Sequence, residues 1–153
     1  MVISALLFVG GGFLLAVLWF DLMFDVQVLG ATPGIAALGS VAAYYRRVTT
    51  EAAPMGHLVA AVMVTTLVAS LADVARAREW RSFRVVAFLL VAAPITLASV
   101  RVFPNAVTLG REALEDVAQL SLARAILRDH LLCLASILGF LAVRLRIAVG
   151  ARE

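Results

Sequence analysis

The sequence predicts an all-α membrane protein: four transmembrane helices in a bundle, with a short helix after the first span and an amphipathic helix before the last. Two observations predict this class. The 153 residues are 63% hydrophobic with a mean hydropathy of +1.03, whereas apolar residues make up roughly 45–50% of soluble domains. The apolar runs are also continuous and lack strand-like alternation, and helices satisfy the backbone of such runs inside a bilayer. The length fits a single integral membrane domain, residues 1–153.

Four apolar runs approach the roughly 20 residues that a membrane-spanning helix needs. We predict spans at about 2–24, 57–74, 85–100 and 131–149. The first lacks the basic region and cleavage site of a signal peptide, so we expect it to be retained. Its Gly10-Gly11-Gly12 run would let another helix approach closely, and Pro94 should kink the third span.

Two further helices are expected outside the spans. Thr32 as the N-cap and Pro33 in the first turn predict a helix that runs to about Thr50. Its uncharged part, residues 33–45, is about 13 residues long and falls short of a span, although a short fifth span is the alternative. Leu114, Val117, Leu120 and Leu127 recur near helical spacing and predict an amphipathic helix from Arg111 to about Leu127. No helix breaker separates it from the last span.

Charge predicts the orientation of the chain. With four spans, the termini and the short turn between the second and third spans share one side of the membrane. That side carries Arg76, Arg78, Arg81, Arg84, Arg144, Arg146 and Arg152. Because short cytoplasmic segments are enriched in arginine, we predict a multi-pass cell-membrane protein with both termini in the cytoplasm. Arginines on the opposite side keep the difference small.

The same topology brings polar residues to the non-cytoplasmic face. Asp21 and Asp25 lie four residues apart on one helix face at the end of the first span, and His57 begins the second. The predicted ligand-binding residues are Asp21, Asp25, Tyr45, Arg101, Asn105, Arg128, Asp129 and His130. We expect this cluster to bind a lipid headgroup, a small amphiphile or a partner.

Other interpretations of these residues stay open. In a structural one, Arg46, Arg101 or Arg128 pairs with the two aspartates. In a catalytic one, His130 or His57 acts as an acid–base group with Asp21 or Asp25 on an apolar substrate that enters from the bilayer. A proton or ion path would need polar residues through the membrane, which spans two and four almost lack at mid-depth.

No metal or other cofactor is predicted. Asp21, Asp25, His57 and His130 offer oxygen and nitrogen donors that suit zinc or iron. However, the sequence contains no HExxH, CxxC or paired ExxH spacing.

The remaining charges suggest local roles and partners. Asp73 should pair with Arg76 and the arginine-rich turn, and Arg144 and Arg146 near the end of the last span can extend to the interface. The 13 arginines are spread over loops, so nucleic acid is not an expected partner. The expected partners are the lipid bilayer, a small apolar or amphipathic ligand, and a second copy of the chain.

The layout resembles a known family. One span, a short extra helix, two closely spaced spans, a polar stretch that opens with Val102-Phe103-Pro104-Asn105 and a final span are similar to the small four-span proteins related to anthrone oxygenases. Members of that family include cofactor-independent oxygenases that act on polyketide anthrones. The resemblance implies a four-span bundle and raises the possibility of an enzyme, but it supplies no catalytic motif that can be matched residue by residue.

Overall fold

The computed structural model describes residues 2–30, 34–111 and 115–150, and this part of the chain is helical, without strands. The helices are α1 (Val2–Asp25), α2 (Ile35–Arg46), α3 (Ala53–Ala75), α4 (Arg81–Leu97), α5 (Phe103–Gly110) and α6 (Asp116–Gly150). A 3-10 turn follows α1 at Val26–Val28, and π-helical turns lie at Arg47–Glu51 and Ala98–Val102. The predicted all-α class is confirmed.

Four helical segments are long and apolar enough to cross a membrane: Val2–Val28, Pro54–Ala75, Arg81–Gly110 and Asp116–Gly150. These four helices confirm the predicted fold class, and each contains one of the four predicted apolar runs. The extra helix after the first span is also confirmed, and at 12 residues α2 is too short to cross a bilayer. Its predicted start at Thr32 and Pro33 lies outside the described residues, and the described helix follows Gly34.

Two segments are longer than the sequence predicted. The third span was expected to end near residue 100, but the helix continues through the π turn into α5 and ends at Gly110. Pro94 lies within α4, and the kink predicted there stays a prediction. The helix predicted from Arg111 is described from Asp116 onward, where it forms the first part of the 35-residue α6; Leu114, one of its predicted apolar positions, lies outside the described residues. The absence of a breaker before the last span explains this continuity.

The four spanning segments form a ring in which α1 and α4 each pack against α3 and α6. Leu7, Leu14, Ala69, Ala87, Val91, Ile137 and Phe140 form the apolar core of this ring. At one end of the bundle, α2 packs against α5 and against the first turns of α6. A second core lies there and includes Leu38, Val41, Ala106, Leu109 and Ile126.

The three consecutive glycines of α1 differ in what surrounds them. A Cβ atom on Gly10 would lie 2.1 Å from Thr66 Oγ1, and one on Gly11 would lie 2.8 Å from Leu141 and 2.9 Å from Phe140. These two glycines permit the close approach of α3 and α6 that the sequence predicted. A Cβ atom on Gly12 would meet nothing within 4 Å, so helix packing does not require that glycine.

We therefore expect Gly10→Ala to lower the free energy of unfolding by roughly 1–3 kcal/mol, because overpacking forces α1 and α3 apart. Gly12→Ala should leave it unchanged or raise it by up to about 1 kcal/mol through helix propensity. Thermal unfolding of both variants in one detergent measures the difference. Adding Thr66→Ala to Gly10→Ala should recover part of the loss, and equal melting temperatures for the two single variants would contradict the packing account.

Candidate functional site: a buried polar cluster beside an apolar groove

The centre of the site is a hydrogen bond between α1 and α6. Asp25 Oδ2 accepts from His130 Nδ1 at 2.6 Å, although the two residues are 105 positions apart in the sequence. Asp25 is 1% exposed and His130 is 4% exposed. The antiparallel packing of α1 against α6 brings the end of the first span to the middle of α6 and so creates this contact.

Two consecutive tyrosines of α2 donate hydrogen bonds to the two aspartates. Tyr45 Oη donates to Asp25 Oδ1 at 2.5 Å, and Tyr44 Oη donates to Asp21 Oδ1 at 2.6 Å. Asp21 Oδ2 also lies 3.8 Å from His130 Nε2. The i,i+4 spacing of the aspartates puts both carboxylates on the α1 face that α2 covers, so each phenol reaches one of them.

The aromatic rings stabilise the position of α2. Phe24 stacks on Tyr44 with ring centroids 4.0 Å apart and ring planes 8° apart. Tyr44 in turn meets Tyr45 edge-on at 5.3 Å. Such aromatic pairs contribute about 0.5–1.5 kcal/mol beyond the area that they bury, so they help to hold both hydroxyls against the carboxylates.

Asp129 is the third carboxylate of the cluster. It pairs with the two arginines, Arg101 and Arg128, that were considered as partners of Asp21 and Asp25. It is 1% exposed. Arg101 Nε lies 3.2 Å from Asp129 Oδ2, and Arg128 Nη2 lies 3.2 Å from Asp129 Oδ1. The structural alternative, in which Arg101 or Arg128 pairs with Asp21 and Asp25, is thus wrong. The π turn of the third span brings Arg101 to Asp129, and Arg128 contacts Asp129 as its neighbour on α6.

Two predicted site residues lie apart from this cluster. His57 is exposed on the first turns of α3, and Asn105 is half-buried on α5. Neither forms a hydrogen bond or ion pair with any described residue of the cluster. Within the described ranges, no group of three or more His, Cys, Asp or Glu side chains has the arrangement of a metal site.

A second charged cluster lies toward the opposite end of the bundle. Asp73 Oδ2 accepts from Arg144 Nη1 at 2.5 Å, and its other oxygen accepts from Arg84 Nη1. Arg144 is 3% exposed, so the prediction that it extends to the interface is wrong. The predicted pairing of Asp73 with the arginine-rich turn is confirmed by its contact with Arg84, and Arg144 of α6 is a further partner. An aspartate and an arginine inside two apolar runs were the sequence signal for this contact.

An open groove of about 540 Å³ adjoins the polar cluster. Its walls come from the end of the first span and from α6: Val28, Leu29, Gly30, Arg124, Leu127, Arg128, Leu131 and Leu132. Arg124 Nη2 donates to the carbonyl oxygen of Gly30 at 2.5 Å, and Arg128 contacts Asp129. Arg124 was not among the predicted site residues, because only the packing of α6 against the residues after α1 makes it part of a groove.

Comparisons with known proteins gave no match among protein-family models, curated proteins or solved structures. The resemblance to the anthrone-oxygenase-like proteins therefore stays a hypothesis.

The tyrosines provide a test of the site. Burial, followed by the charge of Asp21, raises the pKa of Tyr44, and burial, followed by the charge of Asp25, raises the pKa of Tyr45. These are the two tyrosines of the chain. We expect the folded protein in detergent to show no tyrosinate absorbance near 295 nm at about pH 11, whereas the unfolded chain should ionise near the ordinary pKa of about 10.

The same pKa shifts predict how stability depends on pH. Above about pH 10 the folded state retains protons that the unfolded state loses, so the stabilisation is complete below that pH and declines as pH rises. Thermal unfolding between about pH 8 and 11 measures the decline. Tyrosinate formation near pH 10 in the folded protein would show that the phenols are not held against the carboxylates.

Proposed function

We propose that this is a small multi-pass membrane protein that binds an anionic amphiphile in the groove beside the polar cluster. The observation that carries the proposal is the pairing of an apolar groove with two arginines, Arg124 and Arg128, on its wall. Guanidinium groups are suited to carboxylate and phosphate groups because their donors match the geometry of these anions. The leucines of the same groove, Leu127, Leu131 and Leu132, offer apolar contacts to the rest of such a ligand.

Arg128 can engage a ligand without leaving a buried charge unpaired. Its side chain is 62% exposed and meets Asp129 at 3.2 Å from the neighbouring position on α6. Asp129 also contacts Arg101. If Arg128 turns to an anion in the groove, Arg101 still compensates the carboxylate, so the penalty for stranding a buried charge is avoided.

The buried network has a supporting role in this proposal. The contacts of Asp25 with His130 and Tyr45 join α1, α6 and α2. They hold the end of the first span beside α6, where the groove forms. Binding sites gain affinity when their walls are held in place before the ligand arrives, because less ordering is needed on binding.

An ion path has less support from the geometry. The Asp25–His130 pair and the Asp73–Arg144 pair lie 14 residues apart along α6, which corresponds to about 21 Å. Leu14, Val91, Ile137 and Phe140, all buried, lie in the core between them. The buried polar side chains of α3 in this region, Thr66 and Ser70, are uncharged, so no buried charged group among the described residues links the two pairs there.

The test uses palmitate as the probe and the protein in phosphatidylcholine nanodiscs. We expect Arg128→Gln to weaken palmitate binding by about 10- to 100-fold, as the loss of a hydrogen bond to a charged group predicts, and Arg124→Gln to act in the same direction. Arg111→Gln, the same change of charge at an exposed residue outside the groove, is the matched control. Titration calorimetry measures all three variants. If Arg111→Gln weakens palmitate binding equally, the effect comes from general surface charge and the proposed site is wrong.

We also propose that the protein lies in the cell membrane with both termini in the cytoplasm, so that the groove opens near the non-cytoplasmic face. The support is the short connection between α3 and α4, where Arg76, Arg78 and Arg81 are exposed. Reporter fusions after Arg81 and after Gly110 are expected on opposite sides, with Arg81 in the cytoplasm. A cytoplasmic reporter after Gly110 would reverse the orientation.

A second candidate function is acid–base catalysis on an apolar substrate. It is favoured by the 2.6 Å contact of Asp25 with His130, because a carboxylate that orients an imidazole is a recurring arrangement in general-base catalysis. Asp21, near His130 Nε2, would be the second acid–base group. In the reaction suggested by the family resemblance, anthrone and O2 give anthraquinone and water.

If this second function holds, the protein should oxidise anthrone faster than a heat-denatured sample does. His130→Gln should then lower the rate by at least about 100-fold, the usual contribution of a general base. His57→Gln, at the exposed histidine outside the cluster, should leave it unchanged. Product absorbance over time measures the rate, and a parent protein no faster than the denatured control would eliminate this candidate.

A further inference from the structure

A second groove, of about 410 Å³, lies farther along the contact between α1 and α6. Gly12, Ala16 and Trp19 contribute to its α1 side, and Leu134 and Leu138 form its α6 side. The lining contains no charged side chain. It therefore differs from the first groove, in which Arg124 and Arg128 are present.

The two grooves follow one line on the bundle surface. Leu131 of the first groove and Leu134 and Leu138 of the second are at positions i, i+3 and i+7 of α6, which share one face of a helix. The exposed residue Met23 of α1 continues the stripe that begins at Gly12, and the exposed Val26 follows in the 3-10 turn after α1. From Arg124 to Leu138 this line extends over about 21 Å, at 1.5 Å per residue.

Gly12 gives the second groove its depth. Gly10 and Gly11 face neighbouring helices at distances that exclude a Cβ atom, whereas the space beside Gly12 is open. A glycine in a helix interior costs about 1 kcal/mol relative to alanine, and at Gly12 no close helix contact compensates for that cost. The open space lies where an alkyl chain would follow the line from the first groove.

We infer that the two grooves together hold one single-chain amphiphile, with its anionic head at Arg124 and Arg128 and its alkyl chain along α6 as far as Leu138. The inference rests on the proposed function and adds the class of ligand, a long-chain fatty acid or another single-chain anion. The occupant follows from charge complementarity at one end and from the continuity of the apolar line beyond it. One line between two helices accommodates one chain.

A tryptophan in the second groove can report binding by its fluorescence. Trp19 lines it, and the other tryptophan of the chain, Trp80, packs on Gly150 near the end of α6. In a Trp80→Phe background, palmitate brominated near mid-chain should quench Trp19 by contact. Partition into the lipid also causes quenching, so the quantity measured is the saturable part that excess unbrominated palmitate removes. A Trp19→Phe protein, which retains Trp80, reports the level due to partition alone.

Different variants test the site of the anionic head and the site of the alkyl chain. We expect Gly12→Leu to reduce the saturable quenching at least about tenfold by filling the groove, and the double change Arg124→Gln and Arg128→Gln to abolish it. Ala5→Leu, an exposed small-to-large change two turns earlier on α1, should leave it intact. Melting temperatures of all variants, measured in parallel, show that each one folds.

Several outcomes would overturn the inference. If calorimetry shows palmitate binding that depends on Arg128 but Trp19 shows no saturable quenching, the chain takes another path and the proposed function survives. If neither method shows binding that depends on the arginines, the proposed function fails as well. Equal competition by dipalmitoyl phosphatidate would remove the single-chain requirement, and conversion of a dimer to a monomer by Gly12→Leu would identify a second copy of the chain as the occupant.

Discussion

The hydrogen bond between Asp25 and His130 is the constraint on which the polar end of this protein depends. It joins the first and last spans inside an apolar bundle, where a charge without a partner would cost several kcal/mol. Once Asp25 is present, the second phenol of α2 and the imidazole of α6 are needed to satisfy its two oxygens. The position of α2 over the end of α1 follows from that requirement and from the stacking of Phe24 on Tyr44.

At the other end of the bundle a buried aspartate, Asp73, is stabilised by arginines. Asp73 is held by two guanidinium groups, from α4 and α6, whereas Asp25 is held by a phenol and an imidazole. A buried ion pair adds little net stability compared with apolar residues of similar volume, but the loss of one partner is costly. Both clusters therefore favour one arrangement of the helices, while the core of Leu7, Leu14 and Phe140 supplies the apolar packing between them.

Arg128 connects the buried polar cluster to the groove on the outer surface of the bundle. Arg128 contacts the buried Asp129 and also lines an apolar groove that faces outward. In a bilayer, apolar contacts alone distinguish a ligand poorly from the surrounding lipid chains. Specificity in the proposed site therefore has to come from the two arginines and from the shape that Gly12 and Ala16 give to the α1 surface.

The sequence by itself determined the class of the protein, because length and hydropathy along a chain decide whether a helix can cross a bilayer. It also identified Asp21, Asp25, Arg101, Arg128, Asp129 and His130 as polar residues that a four-span topology carries to one end. Most of their pairings were decided by the tertiary structure. The π turn before α5 brings Arg101 to Asp129, and the placement of α2 brings its tyrosines to Asp21 and Asp25. Only the contact of Arg128 with Asp129 joins neighbours in the sequence. Contacts such as Arg144 with Asp73, 71 positions apart, depend on helix packing angles that no local pattern encodes.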